Sequence, residues 1–157
     1  MAIERTVVLL KPDCLQRGLV GKIVERIENR GFKIVGMKMM QADSTLLREH
    51  YAHLADKPFF AGIEAFMKSS PIIAMAVEGY DAPKVLRKMA GVTKASEAEI
   101  GTIRGDFALS IQSNILHCSD SSETAKAELK RFFKENELYN WTKLDSAIIY
   151  SEEDLAK

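Results

Sequence analysis

Two cysteines in 157 residues, Cys14 and Cys118, with no C-x-x-C pair, leave neither a disulfide framework nor a cysteine-rich zinc site. A charge excess is missing too. Twenty-two Lys and Arg balance 22 Asp and Glu, which disfavours a broadly electrostatic nucleic-acid binder. No apolar run approaches the roughly 20 residues of a membrane helix. The stretch Met1 to Thr6 lacks the apolar core and cleavage site of a secretory leader. These absences predict a cytoplasmic protein with no membrane partner, in which the sequon Asn140-Trp141-Thr142 has no role. No repeat, linker or low-complexity stretch interrupts the chain. What is present is ordinary globular usage, 46% hydrophobic and 28% charged, in a length that fits one domain over 1–157.

Periodicity divides that domain. Arg5 to Leu10 is an apolar, β-branched run stopped by Pro12, hence a buried strand. Leu19, Val20, Ile23, Val24 and Ile27 recur at helical spacing until Gly31. Lys33 to Met40 reads as a second strand, with Val35, Met37 and Met39 on one face. Asp43 or Ser44 can cap a short helix carrying Leu46, Leu47 and Tyr51. Phe60, Ile63, Phe66 and Met67 form another helical stripe ahead of Pro71. Ile72 to Val77 is a central strand, and Asp81 caps a helix with Val85, Leu86 and Met89. Residues 91–110 have no clear period, and a loop that long is usually functional. A strand near Ile115 to His117 precedes a helix from Ser121, where Asp120 and Glu123 offer a loose capping box. The order β-α-β, extra helices, β-α-β predicts an α+β, ferredoxin-like antiparallel sheet covered by helices.

The common nucleotide cradles are absent. Gly18-Leu19-Val20-Gly21-Lys22 resembles part of a P-loop, but its glycines are too close and Ile23 replaces the hydroxyl that would hold magnesium. Bound phosphates would need cationic side chains and loop amides. The densest polar segment is Asn114-Ile115-Leu116-His117-Cys118-Ser119-Asp120-Ser121, a histidine ending an apolar strand before a helix start. Neutral imidazole is nucleophilic near pH 7, so His117 is a candidate phosphoryl acceptor, although spacing alone reads more plainly as a core histidine. Strict alternation puts Asn114 and His117 on opposite faces. For both to serve one site, the strand must begin after Asn114 or the backbone must bend.

Asn114 to Ser121, together with Gly101-Thr102-Ile103-Arg104-Gly105-Asp106-Phe107, Glu4-Arg5-Thr6 before Lys11-Pro12-Asp13, and Pro58-Phe59-Phe60, closely resembles nucleoside diphosphate kinase. The resemblance implies phosphoryl transfer from nucleoside triphosphates such as ATP to diphosphates such as GDP, by a ping-pong route through phosphohistidine on His117. It implies that Glu128 orients that ring with Ser119 as hydroxyl partner, and that Lys11 contacts the sugar hydroxyl and phosphates. Tyr51 matches a residue near the transferred phosphate, Asn114 the ribose ligand, and Arg87, Thr93 and Arg104 the phosphate ligands. Phe59 matches the stacking aromatic, and every base has a π-face, which accounts for broad base tolerance. Mg²⁺ is implied as a cofactor carried on nucleotide phosphates, with no direct protein ligand.

Departures from the family pattern accompany the match. Cys118 stands where glycine is usual, which predicts strain if the backbone needs positive φ and an oxidisable thiol. His53 replaces an acidic residue, and the pair His50 and His53 reads as surface histidines on a polar helix. Lys94-Ala95 and Ile100-Gly101 lack prolines common in the loop of relatives. The tail from Trp141 to Lys157 resembles that of hexameric relatives, so a homo-hexamer with tail contacts between subunits is expected ahead of a tetramer. Two other readings compete: a catalytically silent relative acting as a regulatory binder, and an RNA-binding domain of the RRM type. Arg30 to Met37 begins like an RNP1 segment, but Ile34 and Met37 occupy its aromatic positions.

Overall fold

The computed structural model describes residues 3–155. Its elements run β1 (Ile3–Leu10), α1 (Pro12–Gln16), α2 (Val20–Asn29), β2 (Lys33–Met40), α3 (Ser44–His50), α4 (Phe60–Lys68), β3 (Ile72–Tyr80), α5 (Ala82–Ala90), α6 (Ile103–Phe107), β4 (Leu116–Cys118) and α7 (Ser122–Phe132). Two one-turn helices, α8 (Ser146–Ile149) and α9 (Glu152–Leu155), lie in the tail. The strands make one sheet in the order β2-β3-β1-β4, antiparallel throughout. Continuous apolar runs account for the two central strands, since β1 and β3 are covered on both faces. Val8, Leu10, Met75 and Val77 pack against Ile23 and Ile27 of α2 and Leu86 of α5. Val7, Leu9, Ala74 and Ala76 meet Phe132 and Phe133 at the end of α7. Each fully buried Leu, Ile or Phe contributes about 1.5–3 kcal/mol. The expected α+β, ferredoxin-like arrangement is present, with α7 closing the second face.

Three local expectations need correction. Val35 does not share a face with Met37 and Met39: Val35 is buried, whereas Met37 and Met39 are 47% and 65% exposed. The register jumps between Ile34 and Gly36, and the extra residue of a bulge reverses the alternation beyond it. Asp120 builds no capping box; Ser121 caps α7 by accepting from the Thr124 N–H at 3.1 Å. Asp81 holds the N-cap position of α5 in a left-handed conformation, but its side chain makes no capping bond. At α3 the cap is Asp43, which accepts from the Leu46 N–H at 2.8 Å.

The segment 91–110 contains a short helix, α6, too brief for a hydrophobic period to reveal. Thr102 caps it through the Gly105 N–H at 3.1 Å. Glycine is required at 105, because a Cβ would stand 2.0 Å from the Glu99 carbonyl oxygen. That close approach packs α6 against the segment just before it.

Candidate active site

The C-terminal end of β1 pairs with the start of β4, Leu10 opposite Leu116. Just beyond, the Lys11 N–H donates to the Ile115 carbonyl at 2.9 Å, and the Ile115 N–H donates to Asp13 Oδ2 at 3.0 Å. Pro12 starts α1 at this point, where its missing N–H is harmless. Ile115 has φ +74°, a conformation that costs a β-branched residue about 1–3 kcal/mol. The two hydrogen bonds and complete burial of its side chain hold it there. This bend meets the structural demand read from the sequence. The strand begins only at Leu116, and Asn114 and His117 line the same cavity.

His117 Nε2 lies 3.0 Å from both carboxylate oxygens of Glu128. A carboxylate accepts only, so Nε2 carries a proton, and in the neutral ring the lone pair is then on Nδ1. Glu128 projects inward from α7 and is buried. Burial works to raise its pKa, but hydrogen bonds from His117 and Ser119 outweigh that and hold it below the usual range. The buried Ser119 hydroxyl donates to Glu128 Oε2 at 2.6 Å and accepts from the Val7 N–H at 3.3 Å. The carboxylate is thereby fixed to β1 as well as to α7. The His117 side chain is 22% exposed, so its ring opens to solvent.

Lys11 Nζ donates to Asn114 Oδ1 at 2.6 Å. Desolvation and the nearby Arg104 lower its pKa to about 8. The Asn114 amide donates to the carbonyls of Thr93 and Ile111, both at 2.9 Å. Asn114 therefore orients Lys11 and ties down two loops with both its donor hydrogens engaged. Arg104 does comparable work from α6. Its guanidinium donates to the carbonyls of Asn114, Gly91 and Leu116 at 3.3, 2.6 and 2.7 Å. Three of five N–H groups are engaged, and two remain for a ligand. Arg87 on α5 is exposed.

These groups share one cavity of about 450 Å³, lined by Lys11, Tyr51, Arg87, Thr93, Arg104, Asn114, His117 and Glu128 among others. An apolar cavity of about 520 Å³ adjoins it, sharing Lys11, Tyr51, Leu54 and Thr93 and reaching Phe59, Ile63, Phe66 and Met67. Phe59 is 57% exposed there, while Phe60 is core. The site thus has a cationic end at His117 and an aromatic end at Phe59.

Two expectations fail inside it, strain at Cys118 and a surface position for His50. Cys118 is not among the positive-φ residues, and burial pushes its thiol up to about 11. It carries no backbone strain, and burial disfavours the thiolate that oxidants attack. His50 is not a surface residue; its side chain is 1% exposed. The ring packs edge-on against His117 with centroids 4.5 Å apart, and also against Tyr51 and Phe132. Burial and the adjacent His117 push its pKa down to about 3. The signal was the spacing of Leu47, His50 and Tyr51, which places His50 on the buried side of α3. Tyr51 stands beyond it, 6.5 Å from the His117 ring. His53 is exposed, as the sequence implied.

The model for the family "Nucleoside diphosphate kinase" matches residues 4–138. The chain belongs to the nucleoside diphosphate kinase family. It is 47% identical over 152 residues to nucleoside diphosphate kinase of Parabacteroides distasonis, covering 97% of this chain and 99% of that one. It is 47% identical over 147 residues to human nucleoside diphosphate kinase A, covering 94% and 97%. A halophilic nucleoside diphosphate kinase from Halobacterium salinarum, solved in complex with CDP, superposes with a TM-score of 0.92 at 44% identity, over 95% of this chain and 99% of that one. The protein is a phosphotransferase acting between nucleotides, and the regulatory and RRM readings are not favoured. As in other nucleoside diphosphate kinases, its sheet and helices form one α+β framework. No helix among the described residues is long and apolar enough to cross a membrane.

Proposed function

We propose that His117 carries the phosphoryl group in a ping-pong exchange. Nδ1 attacks the terminal phosphorus of a nucleoside triphosphate, forming a P–N bond as the P–O bond to the departing diphosphate breaks. A second nucleoside diphosphate then enters the same site, and its terminal oxygen takes the group as the P–N bond breaks. The observation that carries this reading is the Glu128 contact at Nε2, which in the neutral ring puts the lone pair on Nδ1, in a cavity lined by Lys11, Arg87 and Arg104. Phosphoryl transfer needs positioning and charge neutralisation more than covalent assistance from the protein. Lys11 and the guanidiniums of Arg87 and Arg104 supply both. Thr93 flanks the phosphates, Asn114 meets the ribose while holding Lys11, and Tyr51 borders the transferred group. Glu128 and Ser119 hold the ring at its angle, and Phe59 stacks on the base with little discrimination.

Mg²⁺ fits as an ion borne by the substrate. Of the residues lining the polar cavity, only Asp120 and Glu128 are carboxylates, and Glu128 is engaged with His117 and Ser119, so no oxygen cage exists. The nucleotide phosphates would hold it beside Lys11, Arg87 and Arg104, where it would neutralise phosphate charge. We further infer that residues 1–157 act as one domain, in the cytoplasm, within a homo-oligomer that is a hexamer rather than a tetramer. The exposed Met39, Leu144 and Ile148 favour assembly.

The decisive experiment is incubation with radiolabelled ATP and Mg²⁺. An acid-labile phosphoprotein should form and pass its label to GDP, and His117→Ala should abolish both steps. Exchange persisting in that variant removes His117 from the role.

A further inference from the structure

The buried His50 packs on His117 in the wall of the polar cavity, yet neither ring nitrogen finds a hydrogen-bond partner. A buried polar group without a partner is destabilising and seldom kept without a function. Its Nδ1 lies 3.6 Å from Glu128 Oε1, too far for a hydrogen bond, and His117 Nε2 lies 3.0 Å from the same oxygen. The ligand atoms of all three side chains fall within 4.8 Å of one another. Around a tetrahedral zinc ion, with bonds near 2.0–2.1 Å, neighbouring ligand atoms stand about 3.3 Å apart. The two separations at Glu128 Oε1 bracket that value.

We propose that His50, His117 and Glu128 form a site for a divalent transition cation of the zinc class, which inhibits phosphoryl transfer when bound. The donor set is two imidazoles and one carboxylate. It suits zinc, cobalt or nickel and not magnesium, which prefers an all-oxygen shell. The cavity at His117 provides the entry path and room for a fourth ligand. Seated there, the ion takes the Nε2 lone pair of the other neutral tautomer, the proton having passed through solvent from Nε2 to Nδ1. It also draws Glu128 from its bond to the ring and leaves Nδ1 protonated, without the lone pair that would attack phosphorus. The binding claim stands on its own, whereas the inhibition rests on His117 being the phosphoryl carrier.

The test uses chelator-stripped, nucleotide-free protein titrated with CoCl₂ or ZnCl₂ alone. One ion per chain should bind, with the visible bands of four-coordinate cobalt. His50→Phe, which keeps a ring in the packed space without a donor, should weaken affinity at least tenfold while retaining its near-ultraviolet circular dichroism. Failure of wild-type protein to bind, or undiminished binding in a folded His50→Phe, overturns the proposal. Should that variant not fold, X-ray absorption of the cobalt-loaded wild type decides the matter: two imidazole nitrogens are expected, and fewer refute the site. Zinc should also slow phosphohistidine formation from Mg²⁺-ATP at least tenfold in wild type. If zinc slows a folded His50→Phe as much, relative to its zinc-free rate, the site is not the cause. Phosphorylation of zinc-free wild type separately tests His117, so failure of one reading is not mistaken for failure of the other.

Discussion

His117 has one nitrogen engaged and one free, and the engaged one is set by Glu128. In Glu128→Gln the ring loses a charge-assisted bond, about 1.5–3 kcal/mol. That should lower kcat roughly 10–10²-fold, with KM much less affected because the nucleotide contacts remain. Steady-state kinetics on ATP and GDP check this, and a change confined to KM would contradict the assigned role. Lys11 has a pH signature. Desolvation and Arg104 push its pKa down to about 8, although Asp13 and Cys118 pull the other way. In the free enzyme the ammonium is therefore lost as pH rises through about 8, and kcat/KM should fall there. Lys11→Arg keeps its charge and should flatten the fall; an unaltered profile would show that another group is responsible. For stability the sign is opposite. An unfolded lysine keeps its proton to near 10.5, so between about 8 and that value this group favours folding as pH rises.

At the scale of elements, the junction of β1, α1 and β4 carries the strain that makes the site. Asp13→Ala leaves the Ile115 N–H without its acceptor, which should cost about 1–3 kcal/mol. The loss should appear as a lower midpoint in urea unfolding, accompanied by lower kcat as the bend before His117 relaxes. A stable variant with full activity would show that Asp13 does not hold the turn. Arg104 joins α6 to the end of α5 and to the approach of β4 through three carbonyls. Lysine offers no rigid fork of donors, so Arg104→Lys should lower the thermal midpoint and raise nucleotide KM together. A rise in KM without destabilisation would leave the residue as a phosphate ligand alone.

Across the whole molecule, the sheet ends in an edge at β2. The tail covers part of it: the Tyr139 N–H donates to the Val35 carbonyl, and Trp141 Nε1 donates to that of Ile34. Beyond the bulge the strand still shows Met37 and Met39 to solvent, the kind of edge on which a second copy can settle. Light scattering should give a hexamer for the wild type and a smaller species for Met39→Lys. The tail also folds back on its own chain, with Ile149 beside Gly31 and the Tyr150 hydroxyl accepting from the Tyr80 N–H. The exposed Leu144 and Ile148 are left as its candidates for subunit contact.

Local pattern was enough for much of this protein. The apolar runs at 7–10 and 72–77 dictated central strands, the spacing in 19–27 and of Val85, Leu86 and Met89 dictated amphipathic helices, and four separated motifs held Lys11, Phe59, Arg104, Asn114 and His117 of the residues that line the site. The strands and helices depend on near neighbours along the chain, where side-chain period and turn chemistry act directly. The bulge at Val35, the left-handed Ile115, the burial of His50 and the three carbonyls held by Arg104 were decided only in three dimensions. Each depends on partners far away in sequence: β3 for Val35, Asp13 and Lys11 for Ile115, α7 and His117 for His50, and the ends of α5 and β4 for Arg104. Until the sheet closes those distances, no local preference distinguishes the arrangement that forms from its alternatives.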